Sequence, residues 1–177
     1  MRIKTFLATL AVASLFSSAA ALANPSVQVG FSPEGSARTL VLNTINGAQH
    51  TIRMSGYSFT AADIAKALAN AERRGVDVKI ILDAKGNRSR YSKAAMNVVT
   101  NAGAGVRTTD TYKIHHDKIL IVDSNKVETG SFNYTKAAEE SNSENAVVLQ
   151  EMPGVADIYL QHWASRWETG KDWHSMY

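Results

Sequence analysis

Four side chains able to act together on a phosphate ester lie in one short stretch, residues 115–133, HHDKILIVDSNKVETGSFN. His116 offers a nitrogen nucleophile or a proton carrier near neutral pH, and Lys118 offers a fixed positive charge. Ser131 and Asn133 add neutral hydrogen-bond donors. A phosphate diester calls for this set: donors hold its two non-bridging oxygens while a nucleophile attacks phosphorus in line with the departing oxygen.

Positioning these groups falls to a hairpin. Ile119 to Val122 is apolar and mostly β-branched, Asp123-Ser124-Asn125-Lys126 has turn composition, and Val127 to Phe132 resumes the strand. Alternation puts His116 and Lys118 on one face at roughly 6.6 Å between Cα atoms, and does the same for Ser131 and Asn133. A turn centred between Ser124 and Asn125 then sets Lys118 opposite Ser131 and His116 opposite Asn133, all on one face. A slip of one residue would turn the serine and asparagine away. His115 and Asp117 have the opposite parity and face away from the lysine.

His116-x-Lys118, four residues, Asp123, and then Gly130-Ser131-x-Asn133 resembles the HxKx4D and GSxN signature of the phospholipase D superfamily. Tyr57-Ser58-Phe59, Arg74-Gly75-Val76 and Glu144-Asn145 extend the likeness, which is to the small bacterial endonucleases with a single such motif. The resemblance implies a phosphohistidine mechanism. In it His116 is the nucleophile, Lys118 and Asn133 hold the phosphate oxygens, and Ser131 supports them. It also brings Asp123 and Glu144 into the site signature. Parity turns Asp123 away from His116, which leaves it to hold the turn or a basic partner. Glu144 is expected to orient an imidazole.

Two imidazoles are needed, because one must attack unprotonated while another protonates the leaving oxygen. With one motif per chain, the second His116 is expected from another copy across a twofold axis, so the chain is read as a homodimer with a shared site. Lys85, Arg88, Arg90 and Lys93, interleaved with Tyr91, form a basic cluster suited to gripping phosphates without reading bases, or else a merely solvated loop. Tyr57 follows a strand and is a candidate to line the groove. Phe59 is a groove candidate with it, although aromatic residues at strand ends usually serve the core, and Trp163 and Trp167 are read as core or interface. The chain shows no clustered carboxylates and no HExxH pattern, so neither metal nor cofactor is expected.

Residues 1 to 23 carry Arg2 and Lys4, an apolar run from Phe6 to Phe16, and Ala21-Leu22-Ala23, the pattern of a cleavable secretory signal rather than an uncleaved anchor. Cleavage implies a periplasmic or secreted protein, free of the membrane, with one domain over residues 24–177. It also lowers the formal charge by two, from +3 to +1, so an electrostatic case for binding nucleic acid has to be local. Cysteine is absent, which excludes disulfides and thiolate chemistry.

Strands are expected over 27–31, 52–55, 76–82, 105–108 and 144–149, and helices over 37–48, from an N-cap at Thr60 to Arg74, over 91–102, and from Pro153. This alternation, with the hairpin, predicts an α/β fold, a mixed sheet flanked by helices on both faces. The activity expected is hydrolysis of DNA, single- and double-stranded, without sequence preference, with RNA as a further substrate. A lipid diesterase shares the chemistry, but the chain lacks an evident amphipathic lipid-binding segment. A non-catalytic nucleic-acid-binding module would not need the nucleophile.

Overall fold

The computed structural model describes residues 24–175, so the signal-like segment lies outside the described residues. The chain runs β1 (Ser26–Ser32), α1 (Ser36–Asn46), β2 (Thr51–Gly56), α2 (Ala62–Arg73), β3 (Asp77–Asp83), α3 (Arg90–Thr100) and β4 (Gly105–Thr109). The hairpin β5 (Lys118–Val122) and β6 (Lys126–Gly130) follows, then α4 (Lys136–Glu140), β7 (Glu144–Gln150), α5 (Pro153–Trp167) and β8 (Lys171–Asp172). Five residues for α4 and two for β8 are too few to show a periodicity, and neither stood out in the sequence.

All eight strands join one mixed sheet in the order β1-β7-β6-β5-β2-β3-β4-β8. Only β2-β3 and β3-β4 are parallel. Even-numbered residues of β5, such as Leu120 and Val122, pack with α1, α2 and α3 in the larger core. Ile119, Ile121 and Val127 point the other way, onto Ala156 and Trp163 of α5. Helices therefore cover both faces, as the alternation of elements predicts, but unequally: three long ones on one side and α5 alone on the other.

Local chemistry fixes the helix ends. Ser89 caps α3 by accepting the Ser92 N–H at 3.0 Å. Thr60 does not cap α2 as its sequence context suggests. The N-cap is Ala61, without a side-chain bond, and the Thr60 N–H is instead drawn to the Tyr134 carbonyl at 2.9 Å. Tertiary pairing here outcompetes the local cap.

The hairpin register also departs from expectation. Val122 pairs with Lys126, so three residues, Asp123, Ser124 and Asn125, make the loop, with Asp123 and Ser124 both left-handed at φ 52° and 55°. Lys118 consequently comes level with Gly130 rather than Ser131. β6 ends there, and the N–H groups of Ser131 and Phe132 both donate to the Asn145 carbonyl, at 3.1 and 3.2 Å. Two residues facing one is a β-bulge, and it inserts the residue that the longer loop took out. Counted past the bulge, Asn133 falls level with His116 again.

Candidate active site

Lys118 opens β5 and is only 8% exposed. Its ammonium donates to the His116 carbonyl at 2.9 Å and lies 5.7 Å from the centre of the Tyr57 ring. Burial pushes the lysine pKa down, against the charges of Glu144 and Asp117, which favour the ammonium. His116, just ahead of the strand, is exposed, with its ring 5.0 Å from that of Tyr57. Tyrosine thus braces both the imidazole and the lysine.

His116 and Lys118 line an open cavity of about 430 Å³, shared with Asp117, Ile119, Thr129, Gly130 and, from α5, Ile158, Tyr159 and His162. Ser131 and Asn133 do not line it. The Ser131 hydroxyl accepts from the Asn145 backbone N–H at 3.0 Å and from its side-chain amide at 3.3 Å, which stitches the bulge to β7. Asn133 holds a buried Oδ1 without a partner among the described residues. Glu144 accepts from the Asn142 amide at 2.9 Å, and its charge reaches Lys118.

Asp123 sits outside this cavity. Its carboxylate accepts the backbone N–H groups of Gln49, His50 and Thr51 at 2.9, 2.8 and 2.9 Å. Burial alone would raise its pKa, but these donors hold it below the usual carboxylate value. What it holds is therefore the start of β2 rather than a basic side chain, and its place in the signature corresponds to clamping the hairpin turn.

From the cavity wall inward runs a polar network that the sequence did not disclose. His115 is buried with its Nε2 2.8 Å from the Ser55 hydroxyl, and its backbone N–H donates to Asp83 at 2.8 Å. Burial lowers its pKa and favours the neutral ring. Asp117 accepts from Ser55 at 3.3 Å and lies 2.8 Å from His162 Nε2. Parity alone turned Asp117 away from the site, yet β5 begins only at Lys118, so strand alternation does not govern it. His162 is an isolated histidine in α5, and its spacing gave no signal.

The basic loop is attached to the same strand end. Asn87 donates to the carbonyls of Tyr57 and Asp83 at 2.8 and 2.9 Å and accepts the Phe59 N–H at 2.9 Å. A Cβ at Gly86 would fall 2.5 Å from the Tyr57 carbonyl, so only glycine lets the loop press this close. Lys85, Arg88, Arg90 and Lys93 are exposed, and among the described residues none is paired with an acid. Arg90 stacks on Tyr91 at 4.8 Å. Phe59 is fully buried, and Trp163 and Trp167 stack at 5.1 Å under α5, where they serve the core. No group of three or more histidines or carboxylates among the described residues is arranged to hold a metal ion.

An exposed histidine backed by a buried lysine, on a mixed sheet, is a site suited to a phosphate ester, and the relatives of this chain put it in the class of phosphodiester hydrolases. A family model described as "Cardiolipin synthase, PLD-like domain" matches residues 41–167, and the chain belongs to this phospholipase D-like family. It is 58% identical to a solved structure, Nuc of Salmonella typhimurium, a phospholipase D family member, with a TM-score of 0.85 over 86% of this chain and 100% of that one. A "Phospholipase D" of Rickettsia conorii is 35% identical over 145 residues, 82% of this chain and 71% of the relative. A "Mitochondrial cardiolipin hydrolase" of Danio rerio is 27% identical over 129 residues, 72% of this chain and 56% of the relative.

Proposed function

We propose that the protein is a metal-independent, non-specific endonuclease that cleaves DNA through a phosphohistidine intermediate. The observation that carries this reading is the join between the site and the basic loop: Tyr57 braces His116 on one side and anchors an exposed, acid-free cationic loop through Asn87 on the other. A polyanion held by that loop passes the nucleophile, whereas a single lipid headgroup gains nothing from it. The unprotonated imidazole attacks phosphorus, the Lys118 charge balances the non-bridging oxygens, and the departing oxygen takes its proton from a second His116. Water then breaks the phosphorus–nitrogen bond.

That second imidazole comes from another copy of the chain. Support lies in the sheet row Ile119, Thr129, Val147, Val29, which leads from the cavity across β7 to β1. Val27, Val29 and Phe31 there are more than half exposed on the α5 face, beyond the reach of α5. An apolar face beside an open cavity fits an isologous partner. Residues 1–23 act as an export signal, which places the mature enzyme in the periplasm or outside the cell.

Supercoiled plasmid, RNA and phosphatidylcholine vesicles, each incubated with EDTA, test the reading. The wild type nicks the plasmid, and H116A keeps its fold and DNA affinity but does not. Cleavage that EDTA abolishes and magnesium restores, substantial turnover by H116A, or hydrolysis of the vesicles alone refutes it.

A further inference from the structure

The Asp117–His162 pair is the one charged arrangement in the cavity wall that the chemistry above leaves without a task. We infer that His162, extended by Arg166 one turn further along α5, binds the phosphate next to the scissile one, and so forms a backbone track on the α5 side of the site. The inference rests on the nuclease reading of the same cavity.

Three observations carry it. First, His162 is placed for a ligand: it lines the cavity with His116 and Lys118, its side chain is 36% exposed, and its Nδ1 has no partner among the described residues. Second, its Nε2 is fixed by Asp117, 2.8 Å away, and Asp117 is itself tied back to Ser55. This orients the ring and covers a carboxylate that would otherwise face an incoming polyanion. Burial works against the charge on Asp117, but the bonds from His162 and Ser55 help to hold its pKa below the usual carboxylate value. With Nε2 taken by that carboxylate, Nδ1 is the ring nitrogen left to donate to a ligand.

Third, residues four apart share one helix face, so Arg166 continues the line from His162. Its guanidinium stacks 5.1 Å from the Tyr112 ring, donates to Ser165, and pairs with no acid among the described residues. The titratable and charged groups around His162 are thus Asp117 and Lys118 at the start of β5, His115 and His116 ahead of it, and Arg166 on its own helix. The basic loop grips the strand on the Tyr57 side, and α5 supplies the matching grip on the other.

Binding of a fluorescent single-stranded oligonucleotide to the full-length H116A protein tests this, with salt titrated at a constant, mildly acidic pH. Each cation–phosphate contact contributes about 0.7 to the slope of log affinity against log salt. H116A/H162A and H116A/R166A should each bind roughly tenfold more weakly, with a slope shallower by about that amount. H116A/H162K should recover the slope. Melting temperatures are measured alongside, because His162 also ties α5 to the sheet. A slope equal to that of H116A in the H162A variant, whatever its melting temperature, makes the pair a structural clamp and overturns the inference. So does failure of H116A to bind the oligonucleotide. If the wild type binds the oligonucleotide but cleaves no nucleic acid, the nuclease reading falls instead, and the slopes still decide the role of His162.

Discussion

Glu128 makes a quantitative test of how the motif loop is held. It lies in β6 with no exposed surface, and its Oε2 accepts the Tyr134 hydroxyl at 2.8 Å, while Oε1 has no partner among the described residues. Burial raises its pKa from 4.5 to about 8, and the tyrosine bond only partly opposes this. The folded protein therefore keeps this proton at neutral pH, whereas the unfolded chain has lost it. Between about pH 4.5 and 8 the unfolded state binds fewer protons, so stability is full below that window and falls as pH rises through it, by up to about 1.4 kcal/mol per unit. At pH 7, about 2.5 units into the window, the loss is on the order of 3 kcal/mol. Glu128→Gln removes the titration. Its amide loses or gains a constant amount in the apolar core, which offsets the curve without tilting it. Urea unfolding of both proteins, followed by tryptophan fluorescence, should give a wild-type-minus-variant difference that changes by about 3.5 kcal/mol between about pH 5 and 8. Glu139, whose pKa is also raised to about 8, first by burial and then by its bond to Asp63, is present in both proteins and cancels. A difference that stays constant across that range would show that Glu128 titrates like a solvated acid, and the reasoning would fail.

Removing the Asp123 carboxylate in D123A leaves three N–H donors at the start of β2 without their acceptor; the expected loss is about 2 kcal/mol, or roughly 6 °C in Tm, read by thermal melting. In G130A the new Cβ would fall 2.3 Å from the Asn145 carbonyl, the acceptor on which the bulge is built, at a residue with φ 153°. Stability should drop by about 2–3 kcal/mol, and plasmid nicking should fall with it, since Gly130 itself lines the cavity with His116 and Lys118. F31D places a charge on the open apolar face, and sedimentation should show a shift from dimer to monomer with loss of cleavage; a dimer of unchanged affinity would place the partner elsewhere.

Most of the sheet was legible because alternation and short apolar runs survive in β2, β3, β5 and β7. The site was legible only as a set of residue types. Where Ser131 and Asn133 point depends on two irregularities, a three-residue loop and a bulge at Ser131–Phe132, that cancel in count. Neither is encoded by periodicity. Left-handed Asp123 and Ser124 replace the Asn-Gly or Asp-Gly that announces a tighter turn, and the bulge depends on a carbonyl of β7, a strand that follows in the chain. The Asp117–His162 contact joins residues 45 apart through the packing of α5, which no local pattern reports.

The weak alternation of β1 carries a further consequence. An antiparallel edge strand with one covered face is expected to be polar on the other. In β1 the even positions lie over α1, where Gly30 has no room for a Cβ, 2.7 Å from the backbone of Ser36 and Ala37. The odd positions, Val27, Val29 and Phe31, carry the strand's apolar side chains, although α5 stops short of them. The apolar row of β1 thus lies on the face that no described element covers, while the other face carries Ser26, Gln28, Gly30 and Ser32, the reverse of what an edge strand shows when nothing docks on it. The uncovered row continues through Val147 to Thr129, at the wall of the cavity that holds His116. Burial of the sheet and the need for a second imidazole thus call for a partner at the same place, and they do so from independent premises: one from the surface left open to water, the other from the proton that the leaving oxygen requires.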